Sequence, residues 1–160
     1  TFACVVPICG GGRPLFAPLL ACTPVWFFHA ANDNAIAVGE TDALVAAIRK
    51  AGLKLGVSTH DGEELETALS VEPDYVALGP VYPTILKEMK WAPQGVEKVG
   101  RWKRQIGELP LVAIGGLNPE RLPGVFENGA DIAAVVTDIT RNADPEARTR
   151  EWIMATDPWR

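Results

Sequence analysis

The chain has 160 residues, with 15 basic and 20 acidic side chains and a formal net charge of −5. That acidic balance argues against a basic nucleic-acid-binding face and against electrostatic docking on an anionic membrane. Apolar residues make up 48% and charged residues 22%, the balance of a globular domain, but a complete eight-stranded (β/α) barrel takes about 200 residues or more and does not fit.

The chain opens irregularly. Residues 1–30 carry a single charge, Arg13, and four prolines, Pro7, Pro14, Pro18 and Pro24. No charge falls between Pro14 and Asn32, so a signal or membrane anchor has to be considered. Pro18 and Pro24 break the run short of the roughly 20 apolar residues a spanning helix needs. Thr1 in place of Met and the abrupt shift in composition suggest a fragment edge, a disrupted frame or a divergent arm. We therefore expect residues 1–40 to be an irregular or disrupted N-terminal segment and residues 41–160 to be the folded part. The three cysteines, Cys4, Cys9 and Cys22, form no CxxC pair and predict neither zinc nor a disulfide framework.

From residue 41 the pattern becomes regular. Thr41 can cap a helix with Leu44, Val45 and Ile48 on its apolar side and Gly52 as its stop. A strand is predicted over Lys54–Ser58. Asp61 with Glu64 three residues on opens a helix whose stripe is Leu65, Ala68 and Leu69. Asp74–Leu78 reads as the next strand, followed by a long loop from Gly79 to Gly95. Val96, Val99, Trp102 and Ile106 mark a helix ending at Gly107, and Leu111–Ile114 a buried strand. Asn118 and Pro119 form an N-cap and N1 pair for a helix with Leu122, Val125 and Phe126 inward and Gly129 at its end. Ile132–Val136 is predicted as another buried strand, and a last helix runs from about Pro145 to Met154. Apolar strands alternating with helices predict an α/β fold with a parallel sheet, built from βα units of the (β/α)8 barrel type. The set is incomplete, with about four clear C-terminal units.

In such folds ligands bind at the C-terminal ends of strands. There the sequence places Ser58, Thr59 and His60, the Gly79–Lys87 stretch, Gly115 with Gly116, and Thr137. Adjacent glycines let backbone N–H groups approach an anion with no Cβ in the way. Gly115 and Gly116 with Val136 and Thr137 thus read as a phosphate cradle, or else as a tight strand-to-helix turn. Lys87 is a candidate cation for an anionic leaving group, or a solvated surface lysine. Ser58 is a phosphate donor or a cap, and His60 a helix-start residue or a base. No Ser-His-Asp arrangement is present.

Four motifs in order, LGVSTHD at 55–61, DYVALGPVYPT at 74–84 with Lys87, VAIGG at 112–116 and AVVTDI at 134–139, closely resemble the thiamine-phosphate synthase family. The likeness runs from about residue 41 to 155. It implies a TIM (β/α)8-type barrel and a cytoplasmic transferase of thiamine biosynthesis. The implied reaction joins hydroxymethylpyrimidine diphosphate to hydroxyethylthiazole phosphate, with Mg2+ as cofactor. The resemblance implies that Ser58 and Lys87 hold the pyrimidine diphosphate and its departing pyrophosphate, acting as catalytic residues. Thr84, Ile85 and Leu86 would meet the thiazole phosphate, and Gly116, Val136 and Thr137 would cradle it. Asn32 is the implied substrate contact near the start, and Asp33 and Asp42 the implied magnesium ligands.

Departures from the family pattern are specific. Leu86 stands where a second threonine is usual, and Thr137 replaces a common serine. The chain ahead of Leu55 is too short for the four strands the family places there. Asp33 and Asp42 are only nine positions apart (42 − 33), which suggests a deletion between them. Two other readings remain. A thiazole tautomerase typically has a histidine where Pro80 stands. A non-catalytic phosphate-binding half-barrel would expose sheet edges and an apolar inner face, predicting self-association. The implied partners are small-molecule substrates, with neither nucleic acid nor membrane.

Overall fold

The computed structural model describes residues 45–85 and 91–160. Residues 45–50 form helix α1, and β1 spans Gly56–Thr59, α2 Gly62–Ser70, β2 Tyr75–Leu78 and α3 Val96–Ile106. Then come β3 (Leu111–Ile114), a 3-10 turn (Pro119–Arg121), α4 (Leu122–Glu127) and β4 (Ile132–Ala134). The chain closes with α5 (Thr137–Thr140), α6 (Pro145–Thr156) and a second 3-10 turn (Asp157–Trp159). The strand order is that of the chain, β1-β2-β3-β4. The alternation expected of an α/β fold is therefore present. The described residues belong to two compact units, meeting between Ala77 and Leu78.

In the first unit Ile48, Leu55, Leu65, Ala68, Tyr75, Val76 and Ala77 are buried. Burying an aliphatic side chain of this size contributes about 1.5–3 kcal/mol, so these side chains hold α1 and α2 to the strands. The Asp61 carboxylate caps α2 by accepting from Glu64 N at 2.9 Å. Gly52 ends the α1 segment at φ +70°, where a glycine meets no Cβ penalty.

In the second unit Leu78, Val81, Val99, Trp102, Leu111, Val112, Ala113, Leu122, Val125 and Trp152 are buried. Strands β3 and β4 pair in parallel, with Val112 opposite Ile132 and Ile114 opposite Ala134. Parallel pairing follows from the intervening crossover through α4. Asn118 does cap, its side chain accepting from Arg121 N at 3.1 Å, but what it opens is the 3-10 turn that leads into α4.

Each unit contains the same clamp at the start of its strands. In the first, Asp74 N donates to Leu55 O (2.7 Å) while the Asp74 carboxylate accepts from Leu55 N (2.7 Å) and Lys54 Nζ (2.8 Å). In the second, Asp131 N donates to Leu111 O (2.9 Å) while its carboxylate accepts from Leu111 N (2.8 Å) and Lys103 Nζ (2.8 Å). The aspartate ahead of one strand thus fixes the start of the preceding one, at Leu55 just before β1 and at Leu111, the first residue of β3.

Three expectations need correcting. β4 ends at Ala134, short of Val136, and all three of its residues are half-buried. It is last in the strand order, so among the described residues one side has no neighbouring strand. Val136 instead leads into α5, a one-turn helix that the apolar run concealed. Phe126 is half-buried rather than inward, its ring stacked on Trp159 at 5.3 Å. Leu69 is half-buried, and the buried position beside Leu65 is taken by Glu64.

Candidate functional site

The second unit brings three segments around one cavity of about 320 Å³. Pro83, Thr84 and Ile85 come from the loop after β2, Gly116, Leu117, Asn118 and Arg121 from the turn after β3, and Thr137, Asp138, Arg141 and Asn142 from the segment after β4. These are all segments that follow strands, the end where parallel α/β folds bind ligands.

Backbone contacts fix the cavity's floor. Val81 N donates to Ile114 O at 2.9 Å and Tyr82 N to Gly115 O at 3.0 Å, which zips the start of the long loop onto the end of β3. Gln94 N and Gly95 N return to Pro80 O (2.8 Å) and Val81 O (2.9 Å). Gly115 and Gly116 both have positive φ, +94° and +65°. A Cβ on Gly116 would lie 2.8 Å from Tyr82 O and closer still to Pro83 O. Only glycine fits there, for conformation and for space.

Arg121 ties this turn together. Its Nη1 donates to Gly116 O, and its guanidinium lies over the Tyr82 ring, 4.6 Å from the centroid. Asp138 is held from the opposite direction. Its carboxylate accepts from Arg148 Nε (2.7 Å) and Nη2 (3.0 Å) and from Trp152 Nε1 (2.8 Å). Those hydrogen bonds, Arg148 foremost, hold its carboxyl below the usual aspartate range, and the same pairing raises the Arg148 guanidinium further.

Of the residues expected at the site, Thr84, Ile85, Gly116 and Thr137 line this cavity together. Val136 sits one position ahead, as the N-cap of α5. Ile85 is 72% exposed, so it forms the cavity's rim. Ser58 lies in β1 of the first unit, half-buried, and its hydroxyl has no hydrogen-bond partner among the described residues. Asn32, Asp33, Asp42, Leu86 and Lys87 lie outside the described residues. Arg121, Asp138 and Arg141 line the cavity too, although no sequence motif points to them directly. Their position a few residues past the glycine pair and Val136 is the available signal.

His60 is buried beside the end of β1. Glu64 Oε2 accepts from His60 N at 2.7 Å and meets His60 Nδ1 at 2.8 Å. Glu64 Oε1 is buried with no hydrogen-bond partner among the described residues. Among the described residues no group of three or more His, Cys, Asp or Glu side chains could hold a metal ion. Nor is any described helix long and apolar enough to cross a membrane.

Comparison with known proteins bears on this geometry. The family model described as thiamine monophosphate synthase matches residues 28–139. A thiamine-phosphate synthase of Rhizobium etli is 67% identical over 134 residues, covering 84% of this chain and 63% of that protein. One of Klebsiella pneumoniae is 50% identical over 113 residues, covering 71% and 50%. This chain therefore spans only about half to three-fifths of the length of these relatives. Among solved structures, a thiamine phosphate pyrophosphorylase of Pyrococcus furiosus superposes with a TM-score of 0.66 at 18% identity, over 98% of this chain and 84% of that one. A 3-hexulose-6-phosphate synthase of Salmonella typhimurium reaches 0.68 at 17% identity, over 96% and 71%. At such identities the likeness establishes the fold alone, that of barrel-type α/β enzymes.

Proposed function

This chain belongs to the thiamine monophosphate synthase family, and from that premise we propose that it takes part in thiamine phosphate formation. The observation that carries the proposal is the cavity of the second unit, where Thr84, Gly116 and Thr137 converge on a glycine turn closed to any Cβ. We assign it the phosphate of hydroxyethylthiazole phosphate. Backbone N–H groups beside Gly116 and the hydroxyls of Thr84 and Thr137 suit phosphate oxygens. Val136 orients Thr137, while Ile85 and Leu86 border the thiazole.

In the reaction, the CH2–O bond of hydroxymethylpyrimidine diphosphate breaks and its electron pair leaves with pyrophosphate. The thiazole nitrogen lone pair forms the new C–N bond, giving the thiazolium of thiamine phosphate. The protein's share is orientation and charge stabilisation, which needs no catalytic triad. Ser58, whose hydroxyl has no partner among the described residues, is proposed to donate to the diphosphate. Lys87 is proposed to meet the leaving pyrophosphate, and Asn32 the pyrimidine substrate. Mg2+, with Asp33 and Asp42 as its ligands, would neutralise the diphosphate when bound. Both aspartates lie outside the described residues. Residues 41–160 are then the C-terminal part of the barrel, and its charged substrates suit a cytoplasmic setting.

A second reading is a phosphate-binding part-barrel that does not turn over. Thermal melts separate the two. A ligand at about 100 times its Kd stabilises the folded state by about 2.7 kcal/mol. We expect hydroxyethylthiazole phosphate to raise the melting midpoint. If Mg2+-pyrophosphate raises it as well and thiamine phosphate forms, the synthase reading stands. A rise with the thiazole phosphate alone, without product, leaves the part-barrel. No rise with either ligand removes both.

A further inference from the structure

The cations of the second-unit cavity lead to a specificity assignment, which rests on the phosphate reading above. Among the residues that line it are two guanidiniums, Arg121 and Arg141, and one carboxylate, Asp138. Both Asp138 oxygens already accept hydrogen bonds from Arg148, and one of them also from Trp152. Both are therefore engaged by Arg148, a residue that is not part of the lining and that also pairs with Glu151 and, at 3.8 Å, with Glu120.

The two arginines are used differently. Arg121 is anchored, with Nη1 on Gly116 O and its face on Tyr82. A guanidinium carries five N–H donors, so the anchor leaves others for a ligand. Arg141 caps the C-terminal end of α5, its backbone N on Thr137 O at 3.0 Å. Its side chain is exposed and has neither an ion pair nor a hydrogen bond among the described residues. A cavity built only of glycine N–H groups and threonine hydroxyls would distinguish poorly between a singly and a doubly charged tetrahedral group. Two guanidiniums, with the nearby carboxylate already paired, favour the doubly charged one.

We propose that Arg121 and Arg141 are specificity-determining residues that select a phosphate monoester dianion, Arg121 as a fixed donor and Arg141 as the cation that closes on the ligand. The probes are methyl phosphate and methyl sulfate, titrated by calorimetry against the full chain at about pH 7.5, where the phosphate ester carries close to two charges and the sulfate ester one. We expect the unaltered chain to prefer methyl phosphate by about tenfold or more. Arg141→Gln should weaken methyl phosphate by about tenfold, as expected for loss of a charged hydrogen-bonding partner, and should hardly change methyl sulfate. Because the Arg141 side chain bonds to no described residue, the melting midpoint without ligand should not move.

Arg121→Gln also removes the anchor on Gly116. Arg121→Lys therefore accompanies it, keeping the charge without the fork, and should bind methyl phosphate better than Arg121→Gln. Equal binding of methyl phosphate by the unaltered chain and Arg141→Gln overturns this assignment and leaves the phosphate reading intact. Absence of methyl phosphate binding by the unaltered chain overturns both.

Discussion

The two units use the same device at the beginnings of their strands and opposite devices at the ends. Asp74 clamps Leu55 and Asp131 clamps Leu111 with the same pair of backbone bonds and a lysine on the carboxylate. Past the strand ends the likeness stops. After β1 the polar groups of Thr59, His60, Asp61 and Glu64 bond within the unit, Thr59 Oγ1 donating to Ala77 O at 2.9 Å. After β3 and β4 the polar residues line an open cavity around a glycine turn. Polar residues at a strand end are thus not a site in themselves. They become one where packing leaves their donors facing a space a ligand can enter.

The largest expected effect probes the turn that makes this difference. Gly116→Ala forces a Cβ onto the carbonyls of Tyr82 and Pro83 at positive φ. It should cost about 3 kcal/mol in denaturant unfolding and abolish methyl phosphate binding. Gly52→Ala in the first unit has the same sign of φ but nothing within 4 Å of the new Cβ, so it should cost only about 1 kcal/mol. Equal costs would mean that positive φ alone accounts for both and that the closed turn adds nothing.

Next comes the buried carboxylate of the first unit. Glu64→Ala removes the carboxylate that the His60 N–H and Nδ1 bond and should cost about 2 kcal/mol by the same measurement. Glu64→Gln keeps an acceptor and should cost less. Neither should change methyl phosphate affinity if the two strand ends are as distinct as the bonding pattern indicates.

Smaller effects test the shared device. Asp74→Ala and Asp131→Ala each remove one backbone and one lysine bond, and each should cost about 1 kcal/mol. A cost confined to one of them would break the equivalence of the clamps. The smallest effect is read from pH. Burial alone would raise the Asp74 carboxyl, but the hydrogen bonds from Lys54 and Leu55 outweigh it, and the carboxyl lies below its ordinary value. Asp138 is lowered as well, chiefly by Arg148. A carboxyl depressed on folding contributes stability that is present above its unfolded value, about pH 3.9, and is lost as pH falls through the folded one. Unfolding followed by circular dichroism should therefore show stability falling on acidification below about pH 4. Asp138→Asn should flatten part of that fall.

Local rules make much of this chain legible from its residues alone. The β3 segment and α3 stand where the apolar runs and the bounding glycines put them, because Leu111–Ile114 is a continuous apolar run and Gly107 can end a helix at positive φ. The glycine pair after β3 can be marked as a special turn, since two adjacent glycines at a strand end admit the positive φ that both adopt. The burial of Glu64 is not legible in this way, because only the fold brings its partners, the His60 N–H and Nδ1, onto one carboxylate oxygen. The one-turn helix α5 is hidden for a related reason: Val135 and Val136 carry the apolar run of β4 up to its start, and four residues show no periodicity.

By itself the sequence determined the order of strands and helices, the α/β class and the position of the glycine turn, because these follow from periodicity, capping residues and the steric freedom of glycine. Only the tertiary structure decided which polar side chains face the cavity and which are used up inside the fold. Arg121, Arg141 and Arg148 are alike as letters. Their roles separate only when Asp138 is found bonded to Arg148 and Trp152, and pairing of that kind is a property of three-dimensional neighbours, not of spacing along the chain.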